Sequence, residues 1–183
     1  MITIHLPGGE RLNENDEFVY WDSVDVDLEH SLVSISKWEA KFKRPYLKPN
    51  DEKTPLEMFE YIKMMSLTPG VSDDQWSSIT VDSVKAIKEY IDDNKTATTF
   101  PSNKKKKSTE IITSELIYAW MVLQQIPFEC ENCHLSRLLT LINVVSIKNQ
   151  PDEKPNKMAS MQQTAALNKA RRAKNSKPHI PHH

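Results

Sequence analysis

The chain has 183 residues, with 24 Lys and Arg against 25 Asp and Glu, a formal net charge of −1 and a pI near 6.6. Its three glycines, at positions 8, 9 and 70, cannot form a phosphate-binding glycine loop or a dinucleotide-binding fingerprint. Two cysteines do not make a disulfide framework, and no apolar run is long enough for a membrane span or a signal peptide. We therefore expect a single folded unit with an appended segment, in a reducing cytosolic setting.

The charges are separated along the chain although they nearly cancel in total. Residues 1–30 carry eight acidic residues and one Arg, whereas residues 154–183 carry seven basic residues and no acidic one. A separate run of four lysines occupies positions 104–107. A chain polarised in this way can associate head to tail with its own copies, or offer its two ends to different partners. The alternative interpretation is that both ends are simply solvated.

The first 30 residues have the pattern of short β-strands. Apolar residues alternate over residues 2–6, and residues 18–21 and 24–28 form two further runs of strand-forming residues. The sequence Pro-Gly-Gly at 7–9 turns the chain after the first run. We therefore predict a meander of two or three strands, with an acidic outward face that discourages edge-to-edge pairing.

From residue 31 onward the apolar residues follow a helical period. Ser31 or Ser34 is the predicted cap of the first helix, and Thr54 with Pro55 is a favourable start for the second, which is expected to run to Pro69. Further helix starts are predicted at Asp73 or Asp74, at Thr80 or Asp82, and at Thr113 or Ser114. The last two helical segments, over residues 113–127 and 135–149, are apolar over more than one face, so we predict that they form a central antiparallel pair.

These patterns predict a mainly α fold with a short N-terminal β meander, in the α+β class. The predicted segments are an acidic β-rich segment at 1–30, a helical bundle at 31–150 and a basic, partly disordered C-terminal extension at 151–183. Within the extension, Met158 to Lys174 can form a weakly amphipathic helix that is marginal in water and can become ordered against an acidic partner.

The sequence Cys130-Glu-Asn-Cys133-His134 matches the haem-attachment pattern. Haem attachment of this kind occurs in exported proteins, and the chain shows neither an export signal nor a second axial ligand. A zinc site would need a second pair of ligands that the remaining histidines do not supply, and a thioredoxin-like site would need a βαβ unit. We therefore interpret the match as coincidental and predict no cofactor and no metal ligand.

The sequence favours no class of enzyme. It contains no Gly-x-Ser-x-Gly elbow, and its acidic residues are more simply explained as strand faces and helix caps than as a magnesium site. We predict no catalytic residues.

The residues expected to contact other proteins are of two kinds. Core packing is the simpler role for the aromatic side chains, but several short helices around a small core can leave some of them exposed. The basic side chains suit either an acidic protein surface or nucleic acid, although no aromatic residue lies among them to stack on bases. The candidate protein-binding residues are Trp38, Phe42, Trp120, Lys169, Arg171, Arg172 and Lys174.

Seven segments of the sequence, taken in order, resemble those of a small protein of long-tailed, siphovirus-type bacteriophages. They are LEHSLVSISKWE (28–39), MSLTPGV (65–71), TATTF (96–100), ELIYAWM (115–121), IPFEC (126–130), HLSRLLTLI (134–142) and AALNKARR (165–172). In this family an aromatic residue commonly precedes the His-Leu pair, whereas Cys133 stands there in this chain, which also supports a coincidental Cys-x-x-Cys-His match.

The family is that of tail assembly chaperone-like proteins. The resemblance implies a protein that coats the tape measure protein, keeps its long apolar helices soluble, and recruits tail-tube subunits before it is released. It also implies action in the host cytoplasm during virion assembly, and it supplies no catalytic residues. The separated charges favour a homo-oligomer, and we expect no membrane partner.

Two other functions are consistent with the same residues. A structural component of the phage tail or capsid would remain in the virion in many copies, whereas a released chaperone would be absent from it. A morphogenesis factor that contacts nucleic acid through residues 154–183 would bind in a strongly salt-dependent way.

Overall fold

The computed structural model describes residues 1–98 and 111–149. In these ranges four strands precede six α-helices and one 3₁₀ helix, which is the predicted mainly α fold with an N-terminal β segment. The strands are β1 (Ile2–Leu6), β2 (Gly9–Leu12), β3 (Phe18–Trp21) and β4 (Val24–Leu28). The α-helices are α1 (Leu32–Phe42), α2 (Pro55–Met64), α3 (Asp73–Ser77), α4 (Val81–Asp92), α5 (Ser114–Leu123) and α6 (Leu135–Asn149), with the 3₁₀ helix at Phe128–Asn132.

The four strands form one long antiparallel hairpin, and the predicted meander is wrong in its pairing. β1 pairs with β4, and β2 pairs with β3. Leu6 faces Val24 at the end of the first ladder, and Gly9 faces Trp21 three residues further along both strands, so the two ladders share one register. The break between them lies at Gly8, where a Cβ atom would come within 2.9 Å of the Trp21 carbonyl oxygen.

The distal half of the hairpin depends on its turn. β2 has no β-branched residue, so its strand conformation is imposed by pairing with β3. The Asn13 side chain accepts hydrogen bonds of 2.9 Å from the backbone N–H groups of both Asn15 and Glu17. Asp16 adopts the left-handed conformation at φ 58°. This conformation is typical of the residue that follows the turn in a short hairpin loop.

Most helices begin at the predicted caps. Ser31, Thr54, Thr80 and Thr113 each accept a hydrogen bond from the backbone N–H three residues later, at the starts of α1, α2, α4 and α5. The cap of α3 is Ser72, whereas Asp73 or Asp74 was expected.

α2 ends several residues before the predicted stop at Pro69. Ser66 forms a β-bridge with Leu28, and the Leu67 N–H donates to the Asp27 carbonyl oxygen at 2.8 Å. The chain after α2 is thus paired with the outer edge of β4, and this pairing requires an extended backbone.

The central helix is α1. Its residues Leu32, Ile35 and Trp38 are all 0% exposed, and it packs most closely against α2 and α5. α5 leaves Val122 and Leu123 exposed. The prediction that α5 and α6 form the central pair is wrong, because in the described ranges α5 packs most closely against α1 and not against α6.

The chain divides into two units, Met1–Val145 and Ser146–His183. In the second unit the described residues are 146–149, the last residues of α6. The predicted extension at 151–183, with its Met158 to Lys174 helix, lies outside the described residues, and the predicted segment boundaries stay predictions. No helix in the described ranges is long and apolar enough to cross a membrane.

A buried carboxylate connects α1 to the start of α5. Glu39 accepts the Tyr46 N–H through Oε1 at 2.8 Å, and the N–H and hydroxyl of Ser114 through Oε2 at 2.8 and 2.5 Å. Glu39 is 7% exposed. Hydrogen bonds to an ionised acceptor in such a site are among the stronger ones in proteins.

We predict that Glu39→Gln destabilises the fold by about 1–3 kcal/mol. The amide keeps one acceptor oxygen, so its NH₂ group must face either the Tyr46 or the Ser114 donor and leave a buried N–H unpaired. Urea unfolding measures the loss, and Glu52→Gln at an exposed position is the matched control. Equal unfolding midpoints for the two variants would contradict this role of Glu39.

Candidate protein-binding surfaces

A hydrogen-bonded cluster of polar side chains lies inside the fold. His30 Nδ1 and the Tyr61 hydroxyl are 2.5 Å apart, and the Tyr90 hydroxyl donates to Glu29 Oε1 at 2.6 Å. The rings of His30 and His134 meet edge to face, with centroids 5.2 Å apart. All five residues are buried, and the cluster packs four elements of the chain together.

Burial lowers the pKa values of the two histidines in this cluster, whereas hydrogen bonds lower the pKa of its carboxyl group. Burial lowers the pKa of His30 to about 4, with a smaller contribution from the neighbouring His134. Burial also lowers the pKa of His134, against the effect of the Tyr90 carbonyl. For Glu29 burial acts to raise the pKa, but hydrogen bonds from the N-terminal amine and Tyr90 outweigh it and the pKa is lowered. At neutral pH both imidazoles are therefore uncharged and Glu29 is ionised.

The Cys-x-x-Cys-His segment belongs partly to the same packing. His134 Nδ1 lies 2.9 Å from the Ser136 hydroxyl, and its Nε2 lies 3.2 Å from the Tyr90 carbonyl oxygen, so both ring nitrogens have partners in the fold. Burial and the neighbouring Cys133 and Glu129 raise the pKa of the Cys130 thiol, which disfavours the thiolate that metals bind. Within residues 1–98 and 111–149, no group of three or more His, Cys, Asp or Glu is arranged to hold a metal ion.

A cleft with apolar walls lies between α2 and α4. Met58 and Ile62 line it from α2, and Val84, Ile87 and Ile91 line it from α4. Its volume is about 220 Å³, below the roughly 300–1,000 Å³ that is usual for small-molecule sites. The cleft therefore has room for a few side chains of a protein partner.

Two lysines border the α2–α4 cleft, and an exposed valine extends its apolar wall. Lys53 and Lys88 both border it. The Lys53 ammonium lies 3.8 Å from Asp51, and burial lowers its pKa, whereas Lys88 is exposed. Val81, which is 85% exposed, lies one turn before Val84 on the same face of α4 and extends the apolar wall. Apolar walls beside the exposed Lys88 suit an amphipathic helix that carries an acidic residue next to its apolar face.

A second exposed apolar surface lies on the distal hairpin. Leu12, Phe18 and Tyr20 share one face of the β2–β3 ladder and are 54%, 58% and 69% exposed. The Phe18 and Tyr20 rings stack with centroids 6.1 Å apart. We call these three residues the tip face.

The opposite side of the same ladder is held against the body. Arg11 Nε donates to Asp74 Oδ1 of α3 at 2.6 Å, and the Trp21 indole covers Gly9, where a Cβ would lie 2.6 Å from the ring. The Gln75 side chain donates to the Asp22 carbonyl oxygen at 3.1 Å. These contacts fix which side of the distal hairpin remains exposed.

The predicted site residues fall in different places. Trp38 is fully buried, and its ring packs on Phe42 with centroids 4.7 Å apart, so Trp38 belongs to the core and offers no surface to a partner. Phe42 and Trp120 are half-buried and pack against the core. The four basic candidates lie outside the described residues: Lys169, Arg171, Arg172 and Lys174.

The sequence predicted the helices of the cleft and a strand at residues 18–21, but it identified neither exposed surface, and it predicted no strand at residues 9–12. The stripe of Val84, Ile87 and Ile91 has the period of a core helix, and only the position of α2 shows that it is partly uncovered. For the tip face a signal existed, because residues 18–21 are apolar at four consecutive positions. In a two-stranded hairpin, such a run cannot bury both of its faces against one core.

No protein-family model, curated protein or solved structure matches this chain. The resemblance to tail assembly chaperones therefore stays a prediction from the sequence segments.

We predict that the free energy of unfolding falls as the pH is lowered from about 6.5 to about 4. Between the unfolded pKa of His30, about 6.5, and its folded pKa, about 4, the unfolded chain binds a proton that the folded chain does not. One such group changes the free energy of unfolding by at most about 1.4 kcal/mol per pH unit.

Urea unfolding at several pH values measures this dependence, and His30→Gln should make it less steep in this window. His5→Gln, at an exposed histidine, is the control and should keep the wild-type slope. A His30→Gln slope equal to that of the wild type would contradict a neutral, buried His30.

Proposed function

We propose that this chain is a bacteriophage tail assembly chaperone that binds helices of the tape measure protein in the α2–α4 cleft. It acts in the host cytoplasm during assembly, helps recruit tail-tube subunits and carries out no catalysis. The observation that carries the proposal is the α2–α4 cleft, together with the ordered sequence segments that resemble this family. Met58, Val84 and Ile91 stay half-buried along this cleft, whereas Ile62 and Ile87 are only 2% and 1% exposed.

The shape and chemistry of the cleft support a helical client. Helices bind in apolar grooves through side chains spaced three and four residues apart, and such side chains fit a cleft bordered by two helices. A tape measure protein, as the resemblance describes it, has long apolar helices that need cover until the tail tube surrounds them.

The distribution of titratable groups supports binding in preference to catalysis. Active sites place groups with shifted pKa values in an accessible cleft. Here the histidines with lowered pKa values lie in the buried cluster, and none of them lines the α2–α4 cleft. Lys53 does line the cleft and its pKa is lowered by burial, but its ammonium lies 3.8 Å from Asp51 and over the Tyr46 ring, so it is held within the fold.

We predict that co-expression with the cognate tape measure protein raises the soluble fraction of that protein and that the two proteins co-purify. The double variant Val81→Ser/Val84→Ser should weaken co-purification about tenfold or more, because it removes apolar contact area from the α4 wall of the binding surface. Soluble yield and pull-down from the same lysate are the measurements.

Val122→Ser is the matched control, since Val122 is an exposed valine of α5 outside the cleft. Circular dichroism of both variants establishes that they fold. Unchanged co-purification of the folded cleft variant would remove the cleft from the proposal, and a tape measure protein that stays insoluble and unbound with the wild type would remove the chaperone function.

A further inference from the structure

The tip face is the most exposed aromatic surface of the hairpin, and its surroundings are acidic. Residues 9–21 contain four carboxylates and one cationic side chain, Arg11. The Arg11 guanidinium is paired with Asp74 on the opposite side of the ladder. On the tip face itself, Glu10 stands directly across from Tyr20 in the register. The surface thus combines stacked aromatic rings with negative charge.

A second hairpin tip is a poor partner for this surface. Contact between two hairpin tips would bring their negatively charged carboxylates together, and like charges at an interface disfavour association. Acidic side chains along an edge strand also oppose strand addition by an identical hairpin. The fitting partner is therefore a cationic segment that carries some apolar side chains.

The chain itself contains such a segment at residues 154–183. It has seven Lys and Arg and no Asp or Glu, and it includes Met158, Met161 and Leu167 as apolar anchors. Cationic side chains bind over the faces of Tyr and Phe rings, and they also form charge-assisted hydrogen bonds with carboxylates. The segment and the tip face are complementary in both charge and apolar character.

We propose that the tip face of one copy binds the basic segment 154–183 of a second copy, so that the protein associates head to tail. A contact between two different surfaces leaves one tip and one basic segment unused at the ends of each assembly, and further copies can add there. The choice of a second copy over the same chain rests on the proposed function, since several copies in a row are what a long helical client requires.

Self-association of the full chain without a client tests this inference. After nuclease treatment, sedimentation equilibrium of the wild type should show a mass that rises with concentration beyond a dimer. The association should weaken between about 0.1 M and about 1 M salt, because the Debye length shortens from about 10 Å to about 3 Å. The tip variant Phe18→Ser/Tyr20→Ser and the tail variant Arg171→Ser/Arg172→Ser should each weaken association at least about tenfold.

Mixing the two variants identifies the contact. The tip variant keeps its basic segment and the tail variant keeps its tip face, so the mixture should form a heterodimer and nothing larger. Leu123→Ser/Phe128→Ser, at two exposed apolar positions outside the hairpin, is the control and should associate like the wild type.

Three outcomes would overturn the inference. A wild type that stays monomeric at every concentration would show that the segment binds its own chain or nothing. Association that vanishes on nuclease treatment would show that nucleic acid bridges the copies. A folded tip variant that associates like the wild type would place the contact elsewhere. None of these outcomes affects co-purification with the tape measure protein, so this inference and the proposed function can fail separately.

Discussion

The described fold depends on the backbone pairing of residues 28–31, where the hairpin passes into α1. Leu28 bridges Ser66 on one side, and Ser31 bridges His134 on the other. The same four residues therefore join β4 to the end of α2 and to the start of α6. The four side chains at this junction are buried, and those of Glu29, His30 and Ser31 are hydrogen-bonded. An unmade hydrogen bond there would cost about 1–3 kcal/mol. This junction determines where the helices can lie.

The exposed surfaces follow from how the helices are anchored. α2 is tied to the junction just after its C-terminal end, where the Glu29 N–H donates to the Met65 carbonyl oxygen at 3.0 Å. α4 is tied through Tyr90, near its own C-terminal end. The closest packing of α2 is against α1 and that of α4 is against β1, which leaves the cleft between α2 and α4. The distal hairpin projects beyond this anchoring, so one of its faces stays exposed.

Local chemistry made much of the fold predictable from the sequence. Hydroxyl caps such as Ser31 and Thr54 accept a hydrogen bond from the backbone N–H three residues later, so a short stretch of sequence is enough to recognise them. The strands at 2–6, 18–21 and 24–28 are each marked by a run of strand-forming residues. The features that could not be predicted depend on distant partners. β2 is a strand because β3 pairs with it, and α2 stops early because Ser66 pairs with Leu28. The cleft has no local signal at all, since a helical stripe looks the same whether a neighbouring helix covers it or leaves it open.

The central claim is that α2 and α4 together hold a helix of the tape measure protein. Hydrogen–deuterium exchange of the full chain, alone and in complex with that protein, tests it most directly. The account predicts slower exchange in peptides that cover Pro55–Met64 and Val81–Asp92 when the client is bound, with little change in Ser114–Leu123. Unchanged exchange in both α2 and α4 within a stable complex would contradict it.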